Sequence, residues 1–210
     1  MTLDAPTAAL FGALARARGG RRALHPRGRT YAATLELGDR APAPLGPGRS
    51  ADVLVRLSRS IGLPPPLPDV LGAAIRLPDH AGPGRHQDLL LSSTWGRHVL
   101  RPARTHDRGE LSTILPFEHA GRRFVIGLLP RGGGRFALAS AAPARRWGEP
   151  WGELRLGEPL PAQAGEPLRF DPFNTAPGLR LTGPFSELRR PAYAASQAAR
   201  SEPRSTTSRH

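Results

Sequence analysis

The sequence predicts a β-rich domain, a barrel or a sandwich, and three observations lead to it. The 210-residue chain is long enough for one domain with its own hydrophobic core. Its 24 glycines and 24 prolines exceed a fifth of the residues, a density that breaks long helices and favours short elements joined by turns. Between those turns run nine segments with strand-like patterning.

Taken in order, residues 7–18 place Ala8, Leu10, Phe11, Leu14 and Ala15 on one helical face, and Gly19-Gly20 ends the pattern, so residues 1–20 form an N-terminal helical segment. The strand candidates are 30–37 (TYAATLEL), 51–58 (ADVLVRLS), 70–77 (VLGAAIRL), 88–93 (DLLLSS), 111–117 (LSTILPF), 123–129 (RFVIGLL), 135–140 (RFALAS), 152–156 (GELRL) and 167–170 (PLRF). The glycine run in RGGGRF, 131–136, reads as a hairpin turn, since it lacks the Lys-Ser/Thr ending of a phosphate loop. Residues 185–200 (FSELRRPAYAASQAAR) are Ala-rich with helical spacing, and Pro191 falls near the first turn, where its missing N–H does little harm. Residues 1–200 therefore make a single domain, and 201–210, without apolar residues, a disordered tail.

Composition narrows the function classes. A net charge of +13 ordinarily points to nucleic acid, but the chain has no lysine, its arginines are scattered, and few aromatics are present to stack on bases. Nucleic acid is therefore not expected as a partner. The absence of cysteine excludes disulfides, thiolate metal sites, cysteine nucleophiles and covalent c-type haem attachment. The N-terminal apolar run is short, has no basic segment before it and is followed directly by arginines, unlike a signal peptide. With no apolar stretch of spanning length, no membrane is expected and the localisation read is cytoplasmic.

Three groups of residues carry chemistry. In RALHPRG, His25 lies just ahead of the first strand candidate. In VLVRLSRS, alternation sends Arg56 and Ser58 to one face and Val55 and Leu57 to the other, so a cation and a hydroxyl share the face of an apolar strand. In the last helical segment Arg189, Tyr193, Ser196 and Arg200 recur at spacings of four, three and four, on one face. Cationic neighbours favour a phenolate over a phenol, and a phenolate is what a ferric haem takes as an axial ligand.

These residues, in this order, resemble the haem-dependent catalase-like family and its small catalase-related peroxidases. The family's R-x-x-H-A-x-G segment is matched by RALHPRG, its V-R-F-S-T strand by VRLSR, and its R-G-F-A-V-K-F strand by LGAAIRL, with Leu71 in place of the arginine before the glycine. The most specific match is F-x-P-x-N-x-x-P-G-I, here FDPFNTAPGL from Phe170 to Leu179, followed by Arg189, Tyr193 and Arg200 at the family's offsets. The resemblance implies an antiparallel catalase-like β-barrel of about eight strands flanked by N- and C-terminal helices. It implies non-covalent haem b with Tyr193 as the iron ligand and Arg189 stabilising the phenolate. Arg22, Arg56 and Arg200 would contact the propionates, His25 would be the distal acid–base group, and Ser58 would bond that histidine.

Two departures shape the expectation. Ser92 stands where the family has a distal asparagine, and the chain is far shorter than a full catalase, lacking its interlocking arm, so that a homodimer is compatible with it. Both incline the reading towards a peroxidase or weak catalase using hydrogen peroxide or organic peroxides and an unidentified electron donor. Two other classes stand beside it. One is a haem-binding or haem-free barrel without turnover. The other is a metal-dependent phosphodiesterase built on the His-Asp pairs at 79–80, 86–88 and 105–107; these lie in loops without converging partners, and the 105–107 segment is expected to be a surface loop.

Overall fold

The computed structural model describes residues 27–142, 145–161 and 168–183. Strands β1 (Arg27–Leu37), β2 (Arg49–Arg59), β3 (Asp69–Leu77) and β4 (Gln87–Trp95) form an antiparallel meander, with a short 3-10 helix at Ala43–Leu45 between the first two. Two-residue strands β5 (Val99–Leu100) and β6 (Pro102–Ala103) pair with β4 and β3, respectively. They are followed by β7 (Leu111–Ser112), β8 (Phe117–His119), β9 (Arg122–Gly132), β10 (Arg135–Ala141), β11 (Gly152–Pro159) and β12 (Arg180–Leu181).

The ladder runs β1-β2-β3-β4-β7-β9-β10-β11 and returns to β1, so eight strands close into an antiparallel barrel. Closure removes the sheet edges of these strands and decides between the two predicted architectures in favour of the barrel. Alternation then sorts side chains by face. Val55, Ile75 and Leu89 stand opposite one another pointing inward, as do Leu35, Leu154 and Phe136, and all six are at most 1% exposed. Leu45 of the 3-10 helix and Trp151 join this core, the indole N–H of Trp151 donating to Ser140 Oγ at 2.7 Å.

Eight of the nine predicted segments contribute to strands. The 111–117 segment is cut in two: Ile114 adopts φ +61°, Leu115 N–H donates to Thr113 O at 2.6 Å, and Pro116 follows, so a tight bend separates β7 from β8. Residues 168–170, predicted as part of a strand, are a loop fastened to the barrel by side chains described below. The RGGGRF hairpin forms as expected between β9 and β10, with Gly133 and Gly134 at φ +60° and +72°, the positive values a type I′ turn requires. Both flanking helices, His25 and the tail lie outside the described residues. Among the described residues no helix is long and apolar enough to cross a membrane.

Candidate functional site

With Val53, Val55 and Leu57 directed into the barrel, Arg56 and Ser58 point outward. They are nevertheless only 8% and 6% exposed, so this outer wall is covered, unlike an ordinary solvated strand face. The register shows what lies around them. Gly28, Ser58, Gly72, Ser92, Ser112 and Gly127 stand opposite one another on six neighbouring strands, β1-β2-β3-β4-β7-β9. At about 4.8 Å between strands, this row of glycines and serines runs about 24 Å along the outer wall. Nothing on it is larger than a hydroxymethyl group. The adjoining row, Thr30, Arg56, Ala74 and Leu90, adds a hydroxyl, a cation and two half-buried apolar side chains.

The glycines allow close approach. A Cβ on Gly28 would lie 2.7 Å from Arg56 Cζ and Nη2, so the guanidinium occupies the space that a side chain at this position would need. At the far end, a Cβ on Gly127 would lie 2.6 Å from Cη2 of Trp147, whose indole covers the β9 backbone, donates to Glu110 Oε2 at 2.5 Å and is stacked by Arg97.

A third side chain reaches this wall from outside the predicted set. His106 Nε2 lies 3.2 Å from Gly72 O, and Ser58 Oγ donates to the same carbonyl at 3.4 Å. A carbonyl only accepts, so Nε2 carries the proton and Nδ1 the lone pair. Burial lowers the His106 pKa below the ordinary imidazole value; the Gly72 carbonyl, Asp107 and the Ser58 backbone oppose the shift, and Arg59 adds to it. The 105–107 segment is thus a surface loop at Thr105 and Asp107, as expected, but its histidine is turned onto the barrel wall. Sequence reasoning missed this because the contact joins positions 34 residues apart and no local pattern encodes it.

The opposite border is a buried polar clamp. Arg76 Nε and Nη2 donate to the Asp88 carboxylate at 2.7 and 2.6 Å, with Asp88 fully buried. The same carboxylate accepts Asp171 N–H at 2.8 Å and Asn174 Nδ2 at 3.2 Å, while Arg76 also donates to Arg169 O and stacks on Phe170 at 5.0 Å. Gln87 Oε1 accepts Ala176 N–H at 2.6 Å. FDPFNTAPGL is therefore pinned to the outer wall on the row four residues along β3 from Gly72, about 13 Å away.

Of the predicted site residues, the structure brings Arg56, Ser58 and Ser92 onto one outward face, with Ser58 and Ser92 in the same row. Arg22, His25, Arg189, Tyr193 and Arg200 lie outside the described residues. No group of three metal-ligating side chains occurs among the described residues. A concavity of about 580 Å³ between β1 and β11, lined by Asp39, Arg40, Trp151 and Glu153 among others, is separate from this wall.

No known family model matches this sequence, and neither does any curated protein sequence. Among solved structures the chain is similar to one described as "Structure of a bacterial catalase", at 14% identity and a TM-score of 0.63. The match covers 95% of this chain and 61% of that one, so this chain spans less than two thirds of the length of the structure it resembles. At that identity the likeness is one of fold. The described residues form a catalase-like β-barrel.

Proposed function

We propose that the protein binds haem on the outer wall of this barrel and acts on peroxides as a peroxidase or weak catalase. The observation that carries the reading is the row of glycines and serines beside the covered, outward-facing Arg56 and Ser58 on a catalase-like barrel. The residues present fit such a group. A floor without bulk, with half-buried Ala74 and Leu90 beside it, suits a flat apolar macrocycle, and the Arg56 guanidinium suits its propionates. Tyr193, with Arg189 near it in sequence, would supply an oxygen to hold the iron; Arg22 and Arg200 would join Arg56 at the carboxylates.

Bound haem supplies the iron at which peroxide is reduced. The chain's own part is proton movement and positioning. Neutral His25 would take the proton from one peroxide oxygen and return it to the other, so that water leaves while the histidine ends as it began. Ser58 would fix the tautomer of His25 by bonding its other nitrogen. Ser92, a hydroxyl where catalases have an amide, supports a second reading: the same barrel binding haem without turnover.

Haem-supplemented expression followed by absorption spectroscopy tests this directly. A Soret band is expected, lost or shifted to a weakly ligated form in Tyr193→Phe. His25→Ala should keep the band and slow the reaction with hydrogen peroxide by about 10²- to 10⁴-fold. An unaltered spectrum in Tyr193→Phe removes the proximal assignment, and a band that peroxide leaves unchanged in the wild type favours the non-catalytic barrel.

A further inference from the structure

Five large apolar side chains stand exposed among the described residues, Ile61, Leu67, Trp95, Val99 and Leu100, and all five lie at one end of the barrel. Ile61 and Leu67 belong to the β2–β3 loop, the other three to the β4–β5 hairpin. The two are neighbours. Pro102 and Ala103 of β6 pair with Val70 and Asp69, and the Arg59 guanidinium donates to the carbonyls of Leu63, Leu67 and Arg104. Trp95 is 69%, Val99 59% and Leu67 50% exposed, and Pro64, Pro65 and Pro66 lie exposed between Ile61 and Leu67. Apolar exposure gathered in this way marks a contact surface, whereas apolar residues scattered singly over an exterior do not.

Two features say what this surface meets. The first is the backbone of the β2–β3 loop. Ser60 N–H donates to Val70 O at 2.8 Å, and the N–H groups of Ile61, Gly62 and Leu63 donate to the buried Asp69 carboxylate at 3.0, 2.8 and 3.1 Å. Leu67 N–H donates to Pro64 O at 3.0 Å, and positions 64, 65, 66 and 68 are prolines with no N–H to satisfy. From Ser60 to Pro68, therefore, no amide donor is left for water. Such a loop loses no amide hydrogen bond to water on entering hydrocarbon, where an unmet donor is most costly. The second feature is charge. Between Gly96 and Gly109 the chain carries Arg97, Arg101, Arg104 and Arg108 against the single carboxylate of Asp107, and Arg101 stacks on Trp95 at 5.6 Å. An apolar tip that includes a tryptophan, with arginines behind it, suits the boundary between acyl chains and anionic headgroups.

We infer that this end of the barrel docks peripherally on an anionic phospholipid surface. Leu67, Trp95, Val99 and Leu100 enter the acyl boundary, and the exposed Arg104 and Arg108 lie against the phosphates. The contact needs no spanning stretch, the feature on which the expectation of no membrane rested. It is independent of the haem-site reading.

Co-sedimentation of the full chain with vesicles tests this, using phosphatidylcholine alone or mixed equally with phosphatidylglycerol. The wild type should bind the mixed vesicles and leave the neutral ones free. A chain of net charge +13 can adhere to any anionic surface, so the deciding variant keeps every charge. Leu67→Ser combined with Trp95→Ser should weaken binding about tenfold or more with an unchanged urea midpoint, since both side chains are exposed. Arg104→Ser combined with Arg108→Ser should weaken it about tenfold, an effect that disappears at high salt. Trp95→Phe should bind nearly as the wild type does but lose most of the fluorescence quenching that brominated phosphatidylcholine produces. Binding unchanged in the Leu67/Trp95 variant, or quenching undiminished in Trp95→Phe, means adhesion by charge elsewhere and overturns the inference. So does failure of the wild type to bind the mixed vesicles. Self-association lost in the Leu67/Trp95 variant, without vesicle binding, assigns the surface to a second copy of the chain instead.

Discussion

At the scale of single residues, the least replaceable group outside the proposed haem contacts is Asp88. Its carboxylate holds the buried Arg76 guanidinium and two donors of the 171–174 loop, so replacing it strands a cation in the wall. Asp88→Ala should lose about 3–5 kcal/mol of unfolding free energy, measured by urea titration. Arg76→Met should lose less, because Asp171 N–H and the Asn174 amide still bond the carboxylate that remains. His106 makes a second residue-scale prediction. Its folded pKa is lowered, chiefly by burial, so between the folded and unfolded values the unfolded chain binds the proton and the folded chain does not. The contribution is full above the ordinary imidazole pKa of about 6.5 and is lost as pH falls through the lower folded value. Comparing urea midpoints at about pH 7.5 and about pH 5 should therefore show a steeper acid loss in the wild type than in His106→Gln.

At the scale of elements, legibility follows whether the signal is local. The period-two pattern of VLVRLSRS was enough to put Val55 and Leu57 on one face and Arg56 and Ser58 on the other, while the barrel shows which face is inside; the glycine run of RGGGRF was enough for the β9–β10 hairpin. The two-residue strands β5 and β6 have too few positions for any period to show, and the bend at Ile114 breaks a segment whose composition reads as continuous strand. The hairpin offers a clean check of turn chemistry. Gly133→Asn tolerates the positive φ and should leave stability within about 0.5 kcal/mol of wild type. Gly133→Val places a β-branched side chain in that conformation and should cost about 1–2 kcal/mol, again read from the urea midpoint.

At the scale of the whole molecule, the sequence indicated which residue types share a face, and only the closed register shows that the face is continuous. Ser58 is singled out in sequence as a match to one motif and Ser92 as a departure from another; that Gly72 lies between them, and that Gly28, Ser112 and Gly127 extend the line, depends on how strands far apart in sequence are aligned. The same non-local dependence hid His106 and the anchoring of FDPFNTAPGL by Arg76 and Asp88. Faces are encoded by neighbours in sequence; rows are encoded by barrel closure.

A row made of hydrogen atoms and hydroxymethyl groups has a consequence for selectivity. Such a surface offers shape without chemical distinction, and planar groups of the chain itself, the Arg56 guanidinium at Gly28 and the Trp147 indole at Gly127, already lie against it. On the proposed haem-site reading, discrimination would then reside in what is laid against the wall, the guanidinium of Arg56 among it, and not in the row itself. The wall and its cover thereby divide the labour, and exchanging the loops would change what is recognised while leaving the eight-stranded ring untouched.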